Sequence, residues 1–129
     1  MANQARILLF NMNTDRQQSI ERICRSLSIK TSHIKPESYT QSMGYLAGIQ
    51  GFSHTPKNSI PVQSNIAFDK EMLVFSGMDS GTVDRFLDAF KKAALSPVLL
   101  KAIITPYNVF WTPLQLYEEL VKEHRHMNN

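Results

Sequence analysis

The sequence predicts an α/β fold: a small four-stranded, mostly parallel sheet with helices on both faces, built from two β-α-β-α halves. Three observations carry this. Continuous apolar runs, each too short for a helix, occur at 6–11, 72–76 and 98–105, as expected of strands covered on both faces. Segments with apolar residues at helical spacing separate them. The order of these signals repeats, with Met72-Leu-Val-Phe75-Ser76 answering Ile7-Leu-Leu-Phe10-Asn11 65 positions earlier.

Strand one is Arg6-Ile-Leu-Leu-Phe-Asn11. Thr14-Asp-Arg-Gln17 then reads as a capping box, in which the Thr14 hydroxyl accepts from the Gln17 N–H and the glutamine side chain reaches back. The helix it opens carries Ile20, Ile23, Cys24 and Leu27 on its apolar face, with Arg16, Glu21, Arg22 and Arg25 towards water. Residues Ile29 to Pro36 mix polar with apolar side chains, which suits an exposed edge strand. A short helix from Tyr39 to Ala47 follows, with Gly48 as its stop.

In the second half, strand three leads through Gly77-Met-Asp-Ser-Gly81 into a helix with Val83, Phe86, Leu87 and Phe90 as its stripe. Strand four is Val98 to Thr105, closed by Pro106 as Pro36 closes strand two. The last helix has Thr112 as N-cap, Pro113 at N1 and Gln115 completing a capping box. Trp111 and Leu116 hold the positions of a hydrophobic staple.

These elements describe a single domain, 1–129, with halves 1–50 and 71–129 joined by an irregular connection at 51–70 that contains Pro56 and Pro61. A connection of that length is unusual in a compact domain and suits a lid, a partner-binding loop or an insertion. Two topologies fit the order. A parallel, doubly wound sheet places strands one and three centrally and strand two at an edge. The alternative, a ferredoxin-like α+β fold, also puts strands one and three in the middle. Coverage of both faces favours the parallel arrangement.

The composition, 43% hydrophobic and 19% charged in 129 residues, is that of an ordinary globular chain. No basic leader with a cleavage site and no apolar run of about 20 residues is present, so a cytoplasmic protein with no membrane segment is expected. The net charge of +3 comes from scattered lysines and arginines, a balance that does not argue for nucleic acid. Cys24 lies on an apolar helix face and reads as a buried thiol. His33, His54, His124 and His126 have no ligand spacing, so no metal and no cofactor is expected. A homodimer is the base-rate assembly.

Lys101-Ala-x-x-Thr105-Pro-x-Asn108-x-x-Trp111, followed by the C-terminal helix, resembles a family of small bacterial proteins catalogued only as a domain of unknown function. The Ile7-Leu-Leu-Phe-Asn11 strand and Met43-Gly-Tyr-Leu-Ala-Gly48 are similar to that family too. No activity comes with the resemblance.

In an all-parallel sheet, the loops after every strand meet at one edge, where open α/β folds bind ligands. The candidate contacts are therefore Asn11, Ser76, Lys101, Asn108 and Trp111. Each also has a structural explanation. Asn and Ser cap helices and form turns, Trp111 staples a helix, and a lysine in an apolar strand can lay its stem on the surface. No Walker loop, dinucleotide fingerprint or nucleophile elbow is present, so no catalytic residue can be named. The expectation is a non-catalytic binding or regulatory module that contacts a protein or small ligand at the strand-end edge. The alternative is a small enzyme at the same edge, using Lys101 or a loop hydroxyl.

Overall fold

The computed structural model describes residues 4–54 and 68–127. Strands β1 (Arg6–Phe10), β2 (Lys30–Ile34), β3 (Met72–Ser76) and β4 (Leu100–Ile103) form one sheet in the order β2-β1-β3-β4. Helices α1 (Thr14–Ser26) and α3 (Ser80–Lys92) cover one face, and the short α2 (Met43–Leu46) and the long α4 (Pro113–Met127) cover the other. Alternation along the central strands supplies both cores. Ile7, Leu9, Leu73 and Phe75 meet Ile20, Cys24, Phe86 and Phe90, while Leu8, Phe10, Met72 and Val74 meet Met43, Leu116, Tyr117 and Val121.

As expected, β1 and β3 are central and the polar β2 is an edge. Pairings β1–β2 and β3–β4 are parallel, each closed by its helical crossover, but β1–β3 is antiparallel. The fold is thus neither fully parallel nor ferredoxin-like; two parallel β-α-β units lie back to back. The chain enters β3 at the sheet end where it left β2, with Met72 opposite Phe10.

Side chains fix that entry. Asn11, at φ 61°, donates from Nδ2 to the carbonyls of Phe68 (3.0 Å) and Lys70 (3.1 Å), and its Oδ1 accepts from the Tyr39 hydroxyl. The Tyr117 hydroxyl donates to Asp69 Oδ1 and accepts from the Lys70 N–H. The Phe68 ring stacks on Tyr39 at 4.7 Å and on Tyr117 at 4.2 Å. Residues 68–70 are held on both sides just before β3 begins. Of the 51–70 connection, 55–67 lie outside the described residues, and the roles expected for them with it.

The internal repeat is more regular than its sequence suggested, and its offset is 66, not 65. Helix α3 begins and ends 66 positions after α1, and β3 does the same after β1. The left-handed residues Asn11, Ser28 and the caps Asn13 and Leu27 correspond to Gly77, Ala94, Asp79 and Ala93. The capping box expected at Thr14 is replaced by Asn13, whose Oδ1 accepts from the Arg16 N–H as Asp79 Oδ1 accepts from Thr82. That bond is the main cause that holds the Asp79 carboxyl below its ordinary pKa. Past the first helix the offset grows to 70. Ile7 pairs with Thr31 as Leu73 pairs with Lys101, and the N-caps Ser42 and Thr112 stand in the same relation. The α3–β4 connection is four residues longer than the α1–β2 connection.

Two expectations about helix ends hold. Thr112 and Gln115 form the reciprocal capping box, at 2.9 and 3.3 Å. Gly48, at φ 74°, ends α2 with Ile49 N–H returning to the Gly44 carbonyl, the Schellman arrangement. Arg16, expected towards water, is instead largely covered. It pairs with Glu71 at 2.6 Å, donates to the Ser96 carbonyl and lies over the Phe90 ring.

Candidate functional site

The antiparallel centre divides the expected edge. Arg6 pairs with Ser76 and Phe10 with Met72, so Asn11 and Ser76 leave opposite ends of the sheet, about 16 Å apart for five-residue strands. Lys101, the second residue of β4, is level with Leu73 and hence nearer the Asn11 end, but two strands across, or about 10 Å. Thr105 and Asn108 follow Ile103 at the other end, with Ser76. One edge does not gather these loops.

Their individual contacts show what most of them do. Asn11 secures the entry to β3, as above. Ser76 is buried at the end of that strand. Asn108 is buried too, and its amide is used up locally: Oδ1 accepts from the Thr105 N–H at 2.8 Å, and Nδ2 donates to the Ile103 carbonyl at 3.0 Å. It closes the turn after β4. Trp111 packs on the core beneath α2 and α4, and its carbonyl accepts from the Met43 N–H at 2.7 Å. Its outer side borders a shallow groove with Gln115, Glu118 and Glu119.

Lys101 alone faces a cavity of consequence. Its neighbours there are Leu73, Phe86, Leu87 and Phe90 below, with Lys91 on α3 and Leu95, Pro97 and Val98 from the α3–β4 connection. The open volume is about 260 Å³. This is slightly under the usual lower limit of about 300 Å³ for small-molecule pockets, so it suits a compact ligand. The Lys101 ammonium donates to the Val98 carbonyl at 2.9 Å and keeps two further protons for another acceptor. Lys91 is exposed, and neither lysine has an ion pair among the described residues. Arg16 fastens the outer wall through the Ser96 carbonyl.

The other unit shows what the fold itself requires at this place. Glu21, Arg25, Ile29 and Thr31 occupy the positions of Leu87, Lys91, Leu95 and Lys101, and with Arg6 and Lys30 they line a polar groove of about 330 Å³. The apolar floor is therefore not a consequence of the architecture. It arises where Leu87 replaces Glu21 and where four additional residues bring in Pro97 and Val98. No motif marks it in the sequence. The excess length of the second connection, visible once the halves are aligned at 66, is the signal that would have found it.

Residues 71–127 match the family model DUF3783, described as a domain of unknown function. The DUF3783 segment runs from the start of β3 through α4 and so contains every residue of the pocket. The first unit, with the Ile7–Asn11 and Met43–Gly48 segments, lies outside the match although it follows the same backbone plan. No curated protein and no solved structure matches the chain. No described helix is long and apolar enough to cross a membrane, and no group of three His, Cys, Asp or Glu among the described residues is placed to hold a metal ion.

Proposed function

We propose that this chain is a non-catalytic binding module whose ligand site is the pocket between α3 and β4. One observation carries the reading: equivalent positions of two like units hold an apolar pocket in one and a polar groove in the other. Packing needs do not explain leaving apolar side chains around an open volume, since burying them in water-free contact is worth about 25 cal/mol per Å². The single cysteine accords with a reducing, cytoplasmic location.

The test exploits the repeat. Leu87→Glu installs the residue that the first unit carries at that place, so the helix should tolerate it. The neutral dye Nile red is expected to bind the native chain and fluoresce, and to lose that signal in the variant with little change in melting temperature. Equal signal from both proteins, or none from the native chain, contradicts the proposal.

A second reading has its own observation. Ile103, Tyr107 and Phe110 are 51%, 81% and 70% exposed, where the first unit has His33, Glu37 and Thr40. This favours a protein contact at the end of β4, a homodimer included. Sedimentation equilibrium of the native chain and of Tyr107→Glu/Phe110→Thr tests it. Concentration-dependent association absent from the variant supports a homodimer, and a native monomer at all concentrations excludes one.

A further inference from the structure

We infer that the ligand of the α3–β4 pocket is a small amphipathic anion, a carboxylate on a compact apolar body, with the carboxylate held by Lys91 and Lys101; the inference rests on the pocket reading above. Chemistry on both sides of the pocket mouth points the same way. The floor and outer wall offer only apolar side chains, Leu73, Phe86, Leu87, Phe90, Leu95, Pro97 and Val98. Among the described residues, the charged groups that line it are two ammonium groups, from α3 and from the outer edge of β4. An apolar body without charge would leave both ammonium groups without a counter-charge, and a cation would be repelled by them.

The comparison with the first unit separates charge from apolar character. The groove there is also basic, with Arg6, Arg25 and Lys30 against Glu21, yet it has little apolar floor. A simple anion would find no reason to prefer the pocket over that groove. An anion with an apolar body would, because only the pocket removes the body from water. In the pocket, the position of Glu21 is taken by Leu87, so the residue four before Lys91 is apolar, and Asp88, three before it, does not line the pocket. Lys101 already lays its stem beside Val98, with its ammonium held at the Val98 carbonyl. It is therefore positioned before any ligand arrives, and less side-chain entropy is lost on binding.

Calorimetric titration of the native chain with octanoate, 1-octanol, octylamine and acetate tests the inference. Octanoate is expected to bind at least tenfold more tightly than octanol, with octylamine and acetate weaker still. In Lys91→Gln/Lys101→Gln, octanoate affinity is expected to fall to that of octanol, while octanol is unaffected. If octanol or octylamine binds the native chain as tightly as octanoate, the anionic assignment is overturned and the apolar pocket stands. If acetate equals octanoate, the apolar body is irrelevant and the assignment is likewise overturned. If none of the four binds, the pocket reading fails with it. The ligand series needs no variant, so a poorly folding double variant leaves the result intact.

Discussion

Lys101 stands in the second unit where Thr31 stands in the first: each is the strand partner of the equivalent core residue, Leu73 in one case and Ile7 in the other. This correspondence makes the molecule its own control. What both units share, the fold requires. What one has alone calls for another reason, and the apolar pocket beside Lys101 falls in that class.

The correspondence predicts a stabilising change. Ser28 and Ala94 both follow a helix with φ near 58–59°, a left-handed conformation in which a Cβ is strained. Gly77 already fills such a place after β3. Ala94→Gly should raise stability by about 0.5–1 kcal/mol, the strain relief exceeding the added freedom of the unfolded chain. Thermal or urea unfolding measures it, and a loss of stability would mean that Ala94 is not strained.

Asn108 should be needed for folding and not for the ligand. Asn108→Ala removes bonds to the Thr105 N–H and the Ile103 carbonyl and leaves them without that partner. A cost of about 2–3 kcal/mol is expected in urea unfolding, with octanoate affinity retained where the protein is folded. Asn108→Asp keeps the acceptor but sets a carboxylate against the Ile103 carbonyl, so it should not rescue stability.

Arg16 joins the two units and steadies the pocket wall. Its pair with Glu71 is partly covered, between the exposed and buried limits, so Arg16→Gln should cost about 1–3 kcal/mol. Because Arg16 also holds the Ser96 carbonyl, ligand affinity should fall as well, through a less ordered connection. Glu71→Gln, which leaves that carbonyl bond in place, should lower stability with a smaller effect on affinity. Equal effects on affinity would remove Arg16 from the account of the wall.

Cys24 gives the pH dependence. Burial, with a smaller contribution from Glu21, pushes its thiol from 9.0 to about 12. Because the folded pKa is the raised one, the stability it contributes is complete below about 9 and is lost as pH rises towards 12. At pH 8, iodoacetamide should label Cys24 only after the protein is unfolded by urea. Rapid labelling of the folded chain would contradict its burial.

Much of the fold was legible because periodicity and caps are local. The central places of β1 and β3 followed from their apolar runs, and the last helix followed from Thr112, Pro113 and Gln115. The direction of β3 was not legible: an apolar run reads alike both ways, and the entry to β3 is held by tertiary contacts of Asn11, Tyr117 and Phe68. The same blindness to position explains the offset of 65, since two apolar runs slip past each other by one residue without penalty. Thr14 and Asn13 are both good caps, and only geometry selects Asn13. The expected gathering of the strand-end loops at one edge is undone by the antiparallel β1–β3 pairing. Lys101 was singled out for its place in an apolar strand, whereas Leu87 read as part of a helix stripe and Val98 as the start of strand four.

The most direct measurement is a methyl NMR titration of the native chain with octanoate. Saturating shift changes are predicted at Leu87, Leu95 and Val98, with Ile29, the counterpart of Leu95 in the groove of the first unit, unmoved. Shifts of equal size at Ile29, or confined to other parts of the molecule, would contradict a ligand site between α3 and β4.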